Sequence, residues 1–293
     1  MRTGFLSSIR GQFRYLRGKK EFRRAPLKIL IKLLAWKAHC LLSREATISL
    51  LEGSPLKMIL PPEWHGLSKL WYSLGWQNDE DLVYLFANAK AGWLVFDIGA
   101  NIGAWSLLLS QKVGACGCVV ACEPSRHSYN ALVKNIAVNH LGNVKTLDVA
   151  LSDAPGSARL YHDIDATRNS LGLTRENERA EFETVRCITL DAAVRDLQIS
   201  NVDFLKIDVE GAEPLVLRGA KQTIEKFKPA ILFEINASAM KALGLPHDTA
   251  WAILNEYGYA FYSLKSGRFA PEESCPPSGN IWAVHKDSKQ WLL

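Results

Sequence analysis

The chain has 293 residues, 48% of them hydrophobic and 22% charged, with a net charge of +5. This composition excludes a disordered, collagen-like or disulfide-stapled chain and leaves one large domain, or a medium domain with an extension. The charge is uneven: residues 1–44 hold twelve Lys or Arg against one acid, Glu21, so this arm carries +11 and the remainder −6.

A basic arm on a mildly acidic body suits contact with an anionic membrane or another polyanion. The arm's best apolar run, "APLKILIKLLAWKAHCLLS", is interrupted by Lys28, Lys32 and Lys37. It falls short of the roughly 18 uncharged residues that a span needs. Lys28 and Lys32 share one helix face while Leu30, Leu33, Leu34 and Leu41 share another, the pattern of an interfacial helix. No apolar secretory core follows the basic N-terminus. The expectation is a basic, amphipathic, helical extension over 1–60, ending at "LPPEW", and a main domain over 61–293. Peripheral contact with an anionic membrane through residues 1–44 is expected, with packing on the body or a homodimer through the arm as the alternative.

Six scattered cysteines make no disulfide framework in a chain this large. Cys116, Cys118 and Cys122 lack the paired spacing of a zinc site, and "GCVVACEP" reads as a buried strand with small thiols. A reducing, cytoplasmic location follows as an expectation. Residues 63–92 are rich in aromatics, most of them read as core, and "NDEDLVYLFANA" starts a helix that Asn78 or Asp79 can cap.

From Gly92 strands and helices alternate. "WLVFDIG" is a strand, "NIGAWSLLLSQKVG" a helix, "CVVACEPS" a strand, "HSYNALVKNIAVNHLG" a helix with Gly142 as its cap, and "VKTLDVALSD" a third strand. A hairpin of "GSARLYHD" and "FETVRCITLD" follows, then the helix "LDAAVRDLQI". "VDFLKIDVEG" is the fourth core strand, "EPLVLRGAKQTIEKF" a helix, and "PAILFEIN" the fifth strand. "DTAWAILNEYG" is a last helix, before an antiparallel pair "YAFYSL" and "GNIWAVH". This spacing implies an α/β class, with a doubly wound, mostly parallel sheet covered on both faces.

In such a sheet ligands sit at the carboxyl ends of the strands. Those ends read Asp97-Ile-Gly99-Ala-Asn101-Ile-Gly103, Glu123-Pro124, Ala150-Leu151-Ser152-Asp153, Asp208-Val-Glu210-Gly211 and Glu234-Ile-Asn236. Gly99 and Gly103 permit a tight turn and close packing, but Asn101 replaces the middle glycine of a dinucleotide fingerprint. A pyrophosphate is disfavoured beside Asp97, and a cationic amino-acid moiety is favoured. That points to S-adenosylmethionine rather than a nicotinamide dinucleotide. Glu123, at the end of the second strand, can accept from both ribose hydroxyls.

"VFDIGANIG", "ACEPS", "VALSD", "VDFLKIDVEGAEPLVLRGA" and "PAILFEI" resemble the FkbM-type family of S-adenosylmethionine-dependent methyltransferases over about residues 75–265. The resemblance implies a Rossmann-like class I methyltransferase fold with a seven-stranded sheet. It implies O-methylation of hydroxyls on sugars, glycans, glycolipids or natural products. Carried over by position, Asp97, Gly99, Asn101 and Gly103 would surround the methionine part, Glu123 would bind ribose, and Ala150, Leu151 and Asp153 would border adenine.

A hydroxyl is a poor nucleophile, so transfer needs alignment and either a general base or a metal. Two arrangements stay open: Asp208 or Glu210 accepts the proton, or Asp208 and Glu234 hold a divalent ion such as Mg²⁺, which oxygen ligands suit. Asp208, Glu210 and Glu234 are therefore the catalytic candidates. Glu213 is read as serving the dipole of the helix it begins. Lys206 shares a strand face with Asp208 and either pairs with an acid or reaches the site. His127, His162 and His247 are read as incidental. Base methylation is excluded because no Pro-Pro-aromatic motif follows the fourth strand. RNA ribose methylation, and a non-catalytic membrane adaptor on an inherited fold, are the alternatives.

Overall fold

The computed structural model describes residues 18–63, 67–162, 170–171 and 181–291. In chain order these form helices α1 (Lys20–Arg24) and α2 (Pro26–Leu41), strands β1 (Ala46–Ser49) and β2 (Lys57–Leu60), and helices α3 (Leu67–Leu74) and α4 (Glu80–Asn88). Then come β3 (Leu94–Ile98), α5 (Ala104–Val113), β4 (Cys118–Cys122), α6 (Arg126–Val138), β5 (Val144–Leu147), β6 (Ala150–Leu151), β7 (Gly156–Tyr161), β8 (Phe182–Ile188) and α7 (Leu190–Asp196). The chain continues through β9 (Phe204–Ile207), α8 (Glu213–Arg218), α9 (Lys221–Phe227), β10 (Ala230–Asn236), α10 (Ala237–Ala242), α11 (Thr249–Glu256), β11 (Tyr259–Lys265), β12 (Arg268–Glu272) and β13 (Ser278–His285).

The main sheet has the order β12-β11-β13-β10-β9-β3-β4-β5. Strands β10, β9, β3, β4 and β5 are mutually parallel, and β13, β11 and β12 pair antiparallel. The chain runs outward one way from β3 through β4 and the other way from β9 through β10, so the switch point lies between β3 and β9. This is the Rossmann-like α/β architecture, with the expected antiparallel pair β11–β13 and one further edge strand, β12, hairpinned on β11.

Period-2 alternation divides the buried strand residues between two cores. Phe96, Ile98, Val120, Leu205, Ile207, Ile231 and Phe233 pack on one face against α7, α8, α9 and α11. Val95, Val119, Phe204, Leu232 and Trp282 pack on the other, with Trp36, Met58, Leu60, Trp71, Trp76 and Leu107. Asp79 caps α4 as expected, accepting from Leu82 N at 3.0 Å. Asp81 ties the same helix to β13 through Trp282 Nε1 (2.6 Å) and Asn280 Nδ2 (2.8 Å).

Three local expectations are corrected. Residues 46–60 are not helical: β1 and β2 form an antiparallel hairpin. Its Ala46, Met58 and Leu60 join the same core as the sheet, so burial rather than helix propensity decides their form. The third strand is broken: β5 ends at Leu147, and β6 leaves the main sheet to pair with β8 in a small β6-β8-β7 sheet. The end of α6 is turned by His140 at φ 54°, not by Gly142. No described helix is long and apolar enough to cross a membrane. Most of loop 163–181, Trp64, and Arg10, Arg14 and Arg17 of the arm lie outside the described residues.

Candidate active site

A cleft opens at the carboxyl ends of β3, β4 and β9, where the switch point puts it. Its lining includes Gly99, Ala100, Asn101, Glu123, Pro124, Ala150, Leu151, Asp208 and Glu210, all from the expected strand ends. Gly99 has φ +77°, and a Cβ there would stand 1.9 Å from the Asp208 carbonyl oxygen. Only glycine lets the first loop lie this close to the end of β9. Gly103, at φ +93°, does not line the cleft; its missing side chain makes room for Leu132 of α6, which a Cβ would approach to 2.7 Å.

Asp97 also lies outside the cleft lining. It is fully buried beneath the loop, with Ser106 Oγ donating to its Oδ2 at 2.6 Å and Lys206 Nζ 3.1 Å from its Oδ1. The register explains this, because Asp97 on β3 sits directly opposite Lys206 on β9. Lys206 Nζ also donates to Gly99 O at 3.0 Å and lies 3.6 Å from Asp208 Oδ2. Burial works against the ammonium, but Asp97 and then Asp208 outweigh it and hold its pKa above the ordinary lysine value. Lys206 thus pairs with an acid and lines the cleft at once.

Glu123 is buried at the end of β4. Its Oε2 accepts from Asn101 N at 2.8 Å and its Oε1 from Ser125 N at 2.9 Å. Burial pushes its pKa up to about 7, against the two backbone bonds that favour the carboxylate. Each oxygen keeps a second lone pair for a ligand hydroxyl. Ala150 and Leu151 wall the cleft, whereas Asp153 is exposed outside the lining and its Oδ1 accepts from Ser152 Oγ at 3.2 Å.

Asp208 and Glu210 line the cleft and Glu234 lies beside them outside the lining, each offering a carboxylate oxygen within 4.8 Å of the others. Ile207 pairs with Phe233, so the next residues, Asp208 and Glu234, fall side by side at the strand ends. Asp208 is half-exposed. Glu234 has a buried Oε2 with no hydrogen-bond partner, and burial, followed by Asp208, raises its pKa to about 7. Glu210 takes φ 51°, and its Oε2 accepts from Asn236 Nδ2 at 3.2 Å.

Glu213 is corrected from a dipole role to a loop brace. It is fully buried, and its Oε1 accepts from Val209 N (3.0 Å) and Gly211 N (3.3 Å), closing the turn that carries Asp208 and Glu210. His127 and His162 pair with Glu63 (3.5 Å) and Glu183 (3.6 Å), away from the cleft lining.

Sequence reasoning overlooked Asp79 and Trp105 as cleft residues. Asp79 was legible only as a helix cap, yet burial lifts its pKa to about 6 beside the acidic rim. Trp105 follows Gly103 by two residues, and Lys206 Nζ lies 5.9 Å from its ring centroid.

The family model for the methyltransferase FkbM domain matches residues 97–261, more than half of the chain. The chain belongs to the FkbM methyltransferase family. Among its relatives, the methyltransferase sdnD of Sordaria araneosa is 29% identical over 171 residues, covering 48% of this chain and 66% of that protein. The hexuronic acid methyltransferase AglP of Haloferax volcanii is 24% identical over 172 residues, covering 58% of this chain and 68% of that one. The chain thus spans about two thirds of the length of these curated relatives. A solved FkbM methyltransferase of Methylobacillus flagellatus has 14% identity and a TM-score of 0.42, covering 74% of this chain and 54% of that one.

Proposed function

We propose that the chain transfers a methyl group from S-adenosylmethionine to a hydroxyl of a sugar, glycan or natural-product acceptor. The observation that carries this reading is the carboxylate rim of Asp208, Glu210 and Glu234 beside the glycine loop. A hydroxyl acceptor must lose a proton, and a carboxylate cluster beside the glycine loop supports proton acceptance there. The likeness to the hexuronic acid methyltransferase AglP supports a sugar acceptor.

The cleft suits the cofactor by its donor set. Asp79, Glu123, Asp208 and Glu210 line it, while Lys206 is paired below by Asp97, so its lining favours a cationic ligand over a phosphate. The apolar Leu151, Val149, Leu160 and Leu171 offer a wall for a flat ring. When bound, S-adenosylmethionine supplies an electrophilic methyl on a positively charged sulfur. Glu123 would hold the ribose hydroxyls and Asp208 would receive the acceptor proton, while Lys206 and Glu213 fix the two backbone segments that bring these groups together. The acidic rim also disfavours the phosphates of an RNA substrate, which argues against ribose methylation.

A second reading is favoured by the orphaned Oε2 of Glu234 within this all-oxygen cluster. In it Asp208 and Glu234 hold a hard divalent cation such as Mg²⁺, which lowers the pKa of the acceptor hydroxyl.

The test is turnover with a cofactor carrying a deuterated methyl, using mass spectrometry of glycans, lipids and small molecules to find an acceptor that gains the label. Asp208→Asn then lowers kcat by about 10²–10⁴, a larger effect than the weakening of cofactor binding that follows from removing one lining charge. Undiminished turnover in this variant removes Asp208 from the chemistry. Turnover that survives exhaustive chelation rejects the cation reading.

A further inference from the structure

We propose that the outward face of α2 is a docking surface for an anionic lipid bilayer. Helix α2 has two apolar faces. At about 100° per residue, Ile29, Leu33, Trp36 and Cys40 fall within one narrow arc. Ile29, Trp36 and Cys40 are buried, Leu33 is half-buried, and Trp36 Nε1 donates to Glu63 O at 2.8 Å. This arc seats the helix on α3 and the main core. Leu33 therefore belongs to the inner face, not to the outer set that sequence spacing assigns it to.

The opposite arc faces solvent. Leu27 is 70% exposed, Ile31 58%, Leu34 66% and Leu41 73%, with Leu30 beside them and Leu42 just past the helix end. Single exposed leucines are ordinary, but a row along one helix face marks an interaction surface.

Charge selects the occupant. Lys37 borders the apolar row on one side and Lys28 on the other, both exposed. Lys19, Lys20, Arg23 and Arg24 lie just ahead of the helix, and no acid occurs between Glu21 and Glu45. An apolar strip edged by cations on both sides matches the acyl boundary and headgroups of an anionic bilayer. Each basic residue near such a surface contributes about fivefold in affinity. A second copy of the same face would set Lys28 and Lys37 against the same lysines, with no acid on the helix to neutralise them. Because α2 is anchored through Trp36 and the inner row, docking would hold the whole chain at the surface. This inference does not depend on the catalytic reading.

The test is flotation of the full chain with vesicles of phosphatidylcholine plus phosphatidylglycerol, and with phosphatidylcholine alone. The chain is expected to float with the anionic vesicles only, and added salt is expected to weaken binding. The triple variant Leu27→Ser/Ile31→Ser/Leu34→Ser is expected to lose binding at least about tenfold, with its thermal transition retained, since these side chains are exposed. The proposal is overturned if the parent fails to float or the folded variant floats as well as the parent. It is also overturned if light scattering finds a parental dimer that the variant dissolves while neither binds vesicles, which would make the face a contact between copies.

Discussion

Lys206 is one of the few charged side chains that the main sheet buries, and it is held there by Asp97 at 3.1 Å and by Gly99 O at 3.0 Å. Lys206→Met leaves Asp97 charged and unpaired in the core, so we expect a loss of about 3–5 kcal/mol in urea denaturation. Adding Asp97→Asn to the same chain should recover most of it; a single variant within about 1 kcal/mol of the parent would refute the pairing argument. Glu213 makes a prediction of the opposite kind. Burial holds its pKa at about 8 against an ordinary 4.5, so between these values the folded chain keeps a proton that the unfolded chain releases. Stability contributed by this group is therefore full at low pH and is lost as pH rises toward 8. Glu213→Gln keeps an acceptor for Val209 N and Gly211 N without the ionisable group. Its melting temperature should match the parent near pH 5 and exceed it at pH 8, as read by calorimetry; parallel pH profiles would sink the idea. Strand alternation exposed the shared face of Lys206 and Asp208 in the sequence. It did not expose the Asp97 pairing, because cross-strand register is set by the whole sheet and not by either strand alone.

Strong periodic elements were the most legible ones. Strands β3, β4, β9 and β10 carry apolar runs ended by an acid, and helices α4 to α6 carry caps or regular spacing, so their order is legible in the sequence pattern, whereas β5 (Val-Lys-Thr-Leu) is half polar and its end is not legible there. The β1–β2 hairpin could not. Its strands have four residues each, and what holds β2 is a helix rather than only a strand. Asn135 of α6 accepts from Ile59 N at 2.7 Å and donates to Ile59 O at 3.0 Å and to Ile102 O at 2.9 Å. One turn on, Asn139 accepts from Lys57 N at 2.8 Å and donates to Lys57 O at 2.6 Å. These two amides stand in for a partner strand, and the carbonyl of Ile102 links them to the glycine loop of the cleft. Asn135→Leu leaves the half-buried amide and carbonyl of Ile59 and the buried Ile102 carbonyl without this partner. The cost should be about 2–4 kcal/mol, since the orphaned buried Ile102 carbonyl costs about 1–3 kcal/mol and the half-buried Ile59 groups, which water can reach, cost less. Hydrogen exchange should speed up at Ile59 before the sheet strands respond, and equal protection in the two proteins would show that the hairpin is held by apolar burial alone.

Across the whole molecule, Asp79, Glu123, Asp208 and Glu210 line the cleft, while the arm over 1–44 carries a net charge of +11 against −6 for the remainder. Burial has raised Glu123 and Glu234 to about 7 and Asp79 to about 6, so a share of these carboxyls is protonated at neutral pH. A ligand carrying positive charge binds best when they are ionised. Its arrival must therefore expel protons, and its affinity must rise with pH across the same range. We expect the dissociation constant of S-adenosylmethionine to fall between pH 6 and pH 8, by up to about tenfold per pH unit for each proton released. S-adenosylhomocysteine, which lacks the sulfonium charge, should show a shallower dependence. Calorimetry in two buffers of different ionisation enthalpy reads the protons directly. An affinity that is flat from pH 6 to pH 8, with no proton release for either ligand, would mean that the cleft acids do not sense the sulfonium. The selection of a cation over a phosphate would then have to come from shape rather than from charge.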